Sequence, residues 1–199
     1  MEKQKILLHS CCAPCSTAVI ERLANDYDIT ILYYNPNIYP EEEYLKRKNE
    51  EVKYIDHLHK TQPEINIELL DCDYDSESFY SAVKGLENER EGGARCAVCF
   101  KVRLEKTAVL AKELKFDIFG TTLSVSPHKN AELLNAIGKT LEEKHQIKYL
   151  EANFKKQDGY KRSVELAKEN DLYRQNYCGC EFALKIQEKE APESLKKTY

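Results

Sequence analysis

The sequence predicts an open parallel α/β sheet of five strands with helices on both faces. Three observations carry this prediction. Short apolar or β-branched runs alternate with segments whose apolar residues recur at helical spacing. The lengths between the runs allow right-handed crossovers. Asp28–Tyr34 (DITILYY) is apolar at successive positions, as a strand covered on both faces should be. The simplest organisation is one domain over residues 1–199, long enough to bury a core without crosslinks.

The elements follow in order. Lys5–His9 reads as the first strand and Thr17–Asn25 as the helix after it, with Val19, Ile20 and Leu23 inward. Asp28–Tyr34 is the second strand, broken by the Asn-Pro turn of NPNIY. Pro40 suits a first helical turn, and Glu41–Glu43 suits the positive end of a helix. That helix reaches about Lys60, with Tyr44, Leu45, Val52, Ile55 and Leu58 as its apolar side. Ile65–Leu70 is the third strand, and Ser76–Glu87 forms a short helix. Glu89–Arg95 (EREGGAR) reads as a loop delivering Cys96, and Phe100–Lys115 as a helix with Leu104, Ala108, Ala111 and Leu114 on one stripe. Asp117–Leu123 is the fourth strand, Asn130–His145 a helix and Ile147–Phe154 the fifth strand. Helices over Lys161–Glu169 and Glu181–Glu190 follow, and the tail from about residue 192 is expected to fray.

Composition narrows the function. A net charge of −4 argues against a broadly basic nucleic-acid binder, though not against a local basic patch. No apolar run approaches membrane-spanning length, and MEKQK with a brief strand after it lacks the apolar segment of a signal peptide. The expectation is a cytoplasmic protein with no membrane partner. In a reducing compartment eight cysteines do not suggest a disulfide framework. Seven fall in three tight groups, Cys11/Cys12/Cys15, Cys96/Cys99 and Cys178/Cys180, and Cys72 stands apart as a core residue. Clustered thiols of this kind read as metal or redox chemistry.

The organising stretch is HSCCAPCS at His9–Ser16, where the first strand hands over to a helix. That is the carboxyl edge of the sheet, where ligands bind, and helix-start N–H groups there favour thiolates. The CxxC at Cys96–Cys99 opens a helix and is ambiguous alone: a thioredoxin-like dithiol, half a zinc site, or two ligands of an iron–sulfur cluster. Together the three groups exceed the four thiolates that a cubane cluster or a structural zinc needs. The surplus suits a second metal beside the first, or a dithiol relay. Nothing resembles GxGxxG or GxxxxGK, so electrons would come from an external donor.

Five stretches carry a family resemblance: HSCCAPCS, YYNPNIYPEEEY at Tyr33–Tyr44, GGARCAVCFKVRLEKTA at Gly92–Ala108, TTLSVSPHKN at Thr121–Asn130, and LYRQNYCGCEF at Leu172–Phe182. With these the chain resembles the QueH type of epoxyqueuosine reductase. The resemblance implies a fold related to the adenine-nucleotide alpha-hydrolase (HUP-like) superfamily. It implies reduction of epoxyqueuosine in tRNA to queuosine, with a [4Fe–4S] cluster beside a separate mononuclear iron or substituting metal. On that basis Cys11, Cys12, Cys96 and Cys99 are expected to hold the cluster. Cys15, Cys178 and Cys180 are expected at the adjacent metal, with a carboxylate completing its shell, Asp75 being chosen over the alternatives Asp71 and Asp73. The partners implied are tRNA carrying epoxyqueuosine and a ferredoxin- or flavodoxin-like electron donor. Tyr177, His9 and His128 are candidate proton donors. Arg95, Lys101, Arg103, Lys129, Arg162 and Arg174 flank the cysteine loops as a basic rim for tRNA phosphates. Tyr33, Tyr34 and Phe100 are candidates for stacking on bases. Two competing readings are a zinc-stabilised RNA-binding scaffold and a cluster-dependent tRNA thiolation enzyme. The absence of a glycine–serine phosphate loop at the first strand–helix junction speaks against the latter.

Overall fold

The computed structural model of the chain describes residues 3–190, so the expected fraying from about residue 192 lies outside the described residues. Five strands form one sheet: β1 (Gln4–Ser10), β2 (Tyr27–Tyr33), β3 (Ile67–Asp71), β4 (Ile118–Thr121) and β5 (Lys148–Tyr149). Their order is β3-β2-β1-β4-β5 and every pairing is parallel. The expected open parallel α/β sheet is therefore observed. The helices are α1 (Ala13–Leu23), α2 (Glu41–Thr61), α3 (Ser76–Ala82), α4 (Ala94–Glu113), α5 (Ala131–His145), α6 (Gly159–Glu169) and α7 (Glu181–Glu190).

Alternation along β1 explains the layering. Ile6 and Leu8 pack with Val19 and Ile20 of α1, Ile55 and Leu58 of α2, and Ala167 of α6. Leu7 points the other way and packs with Leu104 and Ala108 of α4 and Leu134 and Leu141 of α5. With both faces covered, Ile6, Leu7 and Leu8 are all buried, as the unbroken apolar run requires. The connection from β1 leads to one face and that from β4 to the other. The carboxyl ends of these adjacent strands, with His9 paired to Thr121, thus flank a topological switch point, where parallel sheets open a crevice for ligands.

Three elements differ from the sequence reading in ways that bear on the site. α1 begins at Ala13 rather than Thr17, because Pro14 suits a first turn and leaves no N–H unpaired there. α4 begins at Ala94 rather than Phe100, so Cys96 and Cys99 ride in its opening turns, as a CxxC that opens a helix should. The break comes earlier, at Gly92, whose φ of +86° favours glycine. β5 keeps only two residues of the expected eight-residue strand. After Leu150 N–H bonds Phe119 O, the amides of Ala152 and Phe154 donate to the Asn135 and Ser124 side chains instead of to a strand. Among the described residues no helix is long and apolar enough to cross a membrane.

Candidate active site

The first thiol group forms at the end of β1. Cys11 follows Ser10 directly, and Cys12 is the extended residue that precedes α1. The amides of Cys15 and Ser16 both donate to Cys12 O, at 3.0 and 3.3 Å, so the first helical turn brings Cys15 back beside the adjacent pair. The Sγ atoms of Cys11 and Cys12 are 3.7 Å apart, and the sulfurs of Cys11, Cys12 and Cys15 all lie within 4.8 Å of one another. Gln175 Nε2 donates to Cys12 Sγ at 3.0 Å.

The other thiols open onto adjoining space. A cavity of about 290 Å³ is lined by Cys11, Cys15 and Cys178 together with Lys129 and Tyr177. A smaller one, about 80 Å³, is lined by Cys96, Cys99, Cys178 and Cys180 with Arg103 and Lys129. Cys178 and Lys129 border both.

This geometry corrects the cofactor expectation. Cys11, Cys12, Cys96 and Cys99 were to hold a [4Fe–4S] cluster, with Cys15, Cys178, Cys180 and Asp75 around an adjacent iron. Among the described residues, the one group of three or more Cys, His, Asp or Glu whose ligand atoms cluster this closely is Cys11, Cys12 and Cys15. Such a set suits one metal ion, and the arrangement does not support a cluster with a second iron. The physical reason is the helix turn at Cys12, which joins Cys15 to the pair from which the expected division separated it. Cys96 and Cys99 stand on a different helix, across the smaller cavity.

The electrostatics single out two sulfurs. Hydrogen bonds from the thiols of Cys12 and Cys15 hold Cys11 well below the usual thiol range, and the charges of Lys129 and Arg103 help against burial. The donors move the other way: Cys12 is pushed up to about 12, and Cys15 is raised by the same bonds. In the second pair the Cys180 thiol donates to Cys178, which falls to about 6 with Lys129 assisting, while Cys180 is raised. Burial raises Cys99. Burial disfavours the Lys129 ammonium, but the Cys11 and Cys178 sulfurs more than offset this.

The remaining candidates occupy varied settings. His9 is fully buried, with Nδ1 3.2 Å from Thr121 Oγ1 and Nε2 3.1 Å from Tyr34 O. Burial, then the Arg103 charge, lowers it to about 3, so the imidazole is neutral. Tyr177 donates to Tyr39 O at 2.5 Å, and burial raises its phenol to about 12. Asp75 caps α3, its carboxylate accepting from Ser78 N at 3.2 Å and from the Ser78 hydroxyl. Arg95 is buried, and its Nη1 donates to the carbonyls of Glu87 and Glu89 at 2.8 and 2.5 Å. Arg103 Nε donates to Cys99 O at 3.1 Å. Arg162 is engaged by Glu21, Glu165 and Glu169. Lys101 is exposed on α4. Arg174 borders the larger cavity beside exposed Tyr160. Tyr33, Tyr34 and Phe100 are buried, and Phe100 lines the smaller cavity with the Arg103 and Lys129 charges over its ring.

Sequence reasoning missed the inner face of α2. It assigned Leu45 and Val52 to the apolar side, yet these are exposed, and the buried face is Tyr44, Arg47, Glu51, Tyr54, Ile55 and Leu58. Arg47 pairs with Glu43 and donates to the carbonyls of Tyr177 and Cys178 at 3.3 and 3.4 Å. Glu51 lies under the first thiol turn and accepts from Ser10 Oγ at 2.9 Å and from Ser16 Oγ. Burial raises its carboxyl to about 7 against the pull of these hydroxyls. The available signal was spacing: positions 44, 47, 51, 54/55 and 58 keep a helical stripe, with two charged residues inside it.

Comparison with known proteins accounts for this combination. A family model described as epoxyqueuosine reductase QueH matches residues 6–186. Curated relatives bear the same name. The one from Streptococcus pyogenes serotype M1 is 44% identical over 185 residues, covering 93% of this chain and 72% of its own. The Staphylococcus epidermidis relative is 43% identical over 185 residues, covering 92% and 77%. That from Thermotoga maritima is 39% identical over 182 residues, covering 90% of each. With nearly the whole described chain matched in this way, the protein belongs to the epoxyqueuosine reductase QueH family of oxidoreductases.

Proposed function

We propose that this chain reduces the epoxide of epoxyqueuosine in tRNA to the alkene of queuosine, within the thiol-lined cavity at the β1/β4 switch point. The reaction takes two electrons and two protons and releases the epoxide oxygen as water. The electrons come from an external ferredoxin- or flavodoxin-like donor. The observation that carries the reading is a cavity of about 290 Å³ bordered by Cys11, Cys15, Cys178 and an ammonium, in a chain of this family.

In this reading Cys11, Cys12 and Cys15 hold one metal ion. Their close sulfurs, two of them buried, match the thiolate donor set that such an ion needs. An ion held there would supply Lewis acidity to the epoxide oxygen. The chain does the rest. Lys129 turns its charge toward the cavity, where it offsets negative charge developing on the departing oxygen. Tyr177 stays protonated at neutral pH and serves as a proton donor. Neutral His9 fixes the end of β1 through both ring nitrogens. Arg174 and exposed Lys101 contact RNA phosphate, with Tyr160 at the cavity mouth offering a face to a base. Asp75 acts by holding α3 in place. The family reading also carries a relation of the sheet to the HUP-like superfamily and a cytoplasmic location, where tRNA is found.

The test is anaerobic turnover of epoxyqueuosine-containing tRNA by metal-loaded protein with a chemical reductant, read by nucleoside mass spectrometry as loss of one oxygen. Conversion by the wild type and its loss in Cys11→Ala are expected. Absence of conversion with every divalent metal and reductant tried, or full activity of Cys11→Ala, would overturn the assignment.

A further inference from the structure

We infer that Glu51 is a positioning residue that sets the spacing of Cys11, Cys12 and Cys15 by tying together the two ends of the segment that carries them. The inference rests on the reading of these three thiols as one metal site.

Glu51 is fully buried on the inner face of α2. Its two carboxylate oxygens take different partners: Oε2 accepts from Ser10 Oγ at 2.9 Å, and Oε1 accepts from Ser16 Oγ. Ser10 immediately precedes the first thiol and Ser16 immediately follows the last. One planar group thus spans the whole thiol segment from beneath. Each serine also has a second hydrogen-bond partner. Asn35 Nδ2 donates to Ser10 O at 2.8 Å, and Ser16 Oγ lies 3.0 Å from Ala13 O. The geometry of the clamp is therefore passed to the turn that places the sulfurs.

A carboxylate is a poor choice for this position on grounds of stability alone. Burying it is costly, and Arg47, one turn earlier on the same face, pairs with Glu43 instead. An apolar side chain would fill the same space between α1 and α2. What an apolar group cannot do is accept two hydroxyls at once. Glutamine has the same shape but only one acceptor oxygen, so it releases one end of the segment. Groups that orient metal ligands from behind commonly change metal affinity by about 10- to 100-fold when altered.

The experiment uses full-length protein, Co²⁺ alone as the probe, and the variants Glu51→Gln, Ser16→Ala and, as an exposed control, Glu21→Gln. Two readouts are taken. One is Co²⁺ affinity with the intensity of the thiolate-to-cobalt charge-transfer band. The other, on metal-free protein, is the alkylation rate of Cys11 and Cys12 by iodoacetamide, mapped by peptide mass. Glu51→Gln should bind Co²⁺ at least about 10-fold more weakly, with an altered band, faster alkylation and unchanged far-UV circular dichroism. Ser16→Ala should reproduce the effect and Glu21→Gln should not. If Glu51→Gln does not fold, Ser16→Ala decides by the same readouts. If the wild type binds no Co²⁺, the metal reading fails, and the alkylation rates alone decide whether the clamp exists. Folded variants with wild-type affinity, band and alkylation rates overturn it.

Discussion

Replacing Glu51 with glutamine should change how stability depends on pH, with a sign opposite to that of most acidic residues. The carboxyl has an ordinary value of 4.5 and is raised to about 7 in the folded protein. Between these values the folded chain holds a proton that the unfolded chain releases. The contribution is fully present below pH 4.5 and is lost as pH rises through 7. With these two values, the wild type should lose about 2.5 kcal/mol through this group between pH 5 and pH 8. The glutamine variant does not titrate and should lose none of it, apart from a pH-independent cost of about 1 kcal/mol for one weakened hydrogen bond. The assay is urea unfolding of the metal-free, reduced protein at pH 5, 6, 7 and 8. Subtracting the variant's curve from that of the wild type removes the other titrating groups. Parallel curves would show that Glu51 is ionised in both states across this range, and the argument from burial would be wrong. A variant that gains stability at pH 8 while binding metal less well would separate the role of Glu51 in the site from any role in the fold.

Other perturbations probe neighbouring parts of the site. His9 is lowered from 6.5 to about 3, so its contribution is present above pH 6.5 and is lost as pH falls toward 3. His9→Gln should therefore remove about 2 kcal/mol of the decline between pH 7 and pH 5 in the same assay, and an unchanged acid limb would refute this. Cys15→Ala should weaken Co²⁺ binding at least about 10-fold, whereas Cys96→Ala, outside the close sulfur group, should leave it within about 2-fold. The reverse ranking would restore the division of thiols corrected above. Lys129→Met should move the alkylation pKa of Cys178 upward from about 6, measured by the pH dependence of iodoacetamide labelling. Arg174→Ala should weaken tRNA binding and lower its salt dependence, while Arg162→Ala, already engaged by three glutamates, should leave both unchanged in filter binding.

The alternation of strands and helices was legible because it rests on local pattern. The run Ile6-Leu7-Leu8 announces a strand buried on both faces, and Leu104, Ala108 and Ala111 announce the inner side of a helix. What sequence pattern could not supply was decided by contacts distant in the chain. β5 is cut short because side chains of Asn135 and Ser124 take amides that a strand would have used. α2 turns Arg47 and Glu51 inward, against their usual preference, because each has a loop to hold. The grouping of Cys11, Cys12 and Cys15 was legible from their crowding in the sequence. The division of thiols that the resemblance implied did not hold: the turn at Cys12 that opens α1 keeps Cys15 beside Cys11 and Cys12.

The order of the elements along the chain gives the site a history. All five strands precede residue 150. The stretch with Cys178 and Cys180 comes afterwards and is fastened to parts already standing: Gly179 O accepts from Tyr39 N at 2.8 Å, and Tyr173 N donates to Glu50 at 2.8 Å. A chain emerging from the ribosome can therefore finish its sheet and expose the three-sulfur turn to solvent before its cover exists. Formation of the three-sulfur turn and its enclosure become successive events, and a protein shortened after Asp171 should keep its sheet while its sulfurs remain permanently open to solvent.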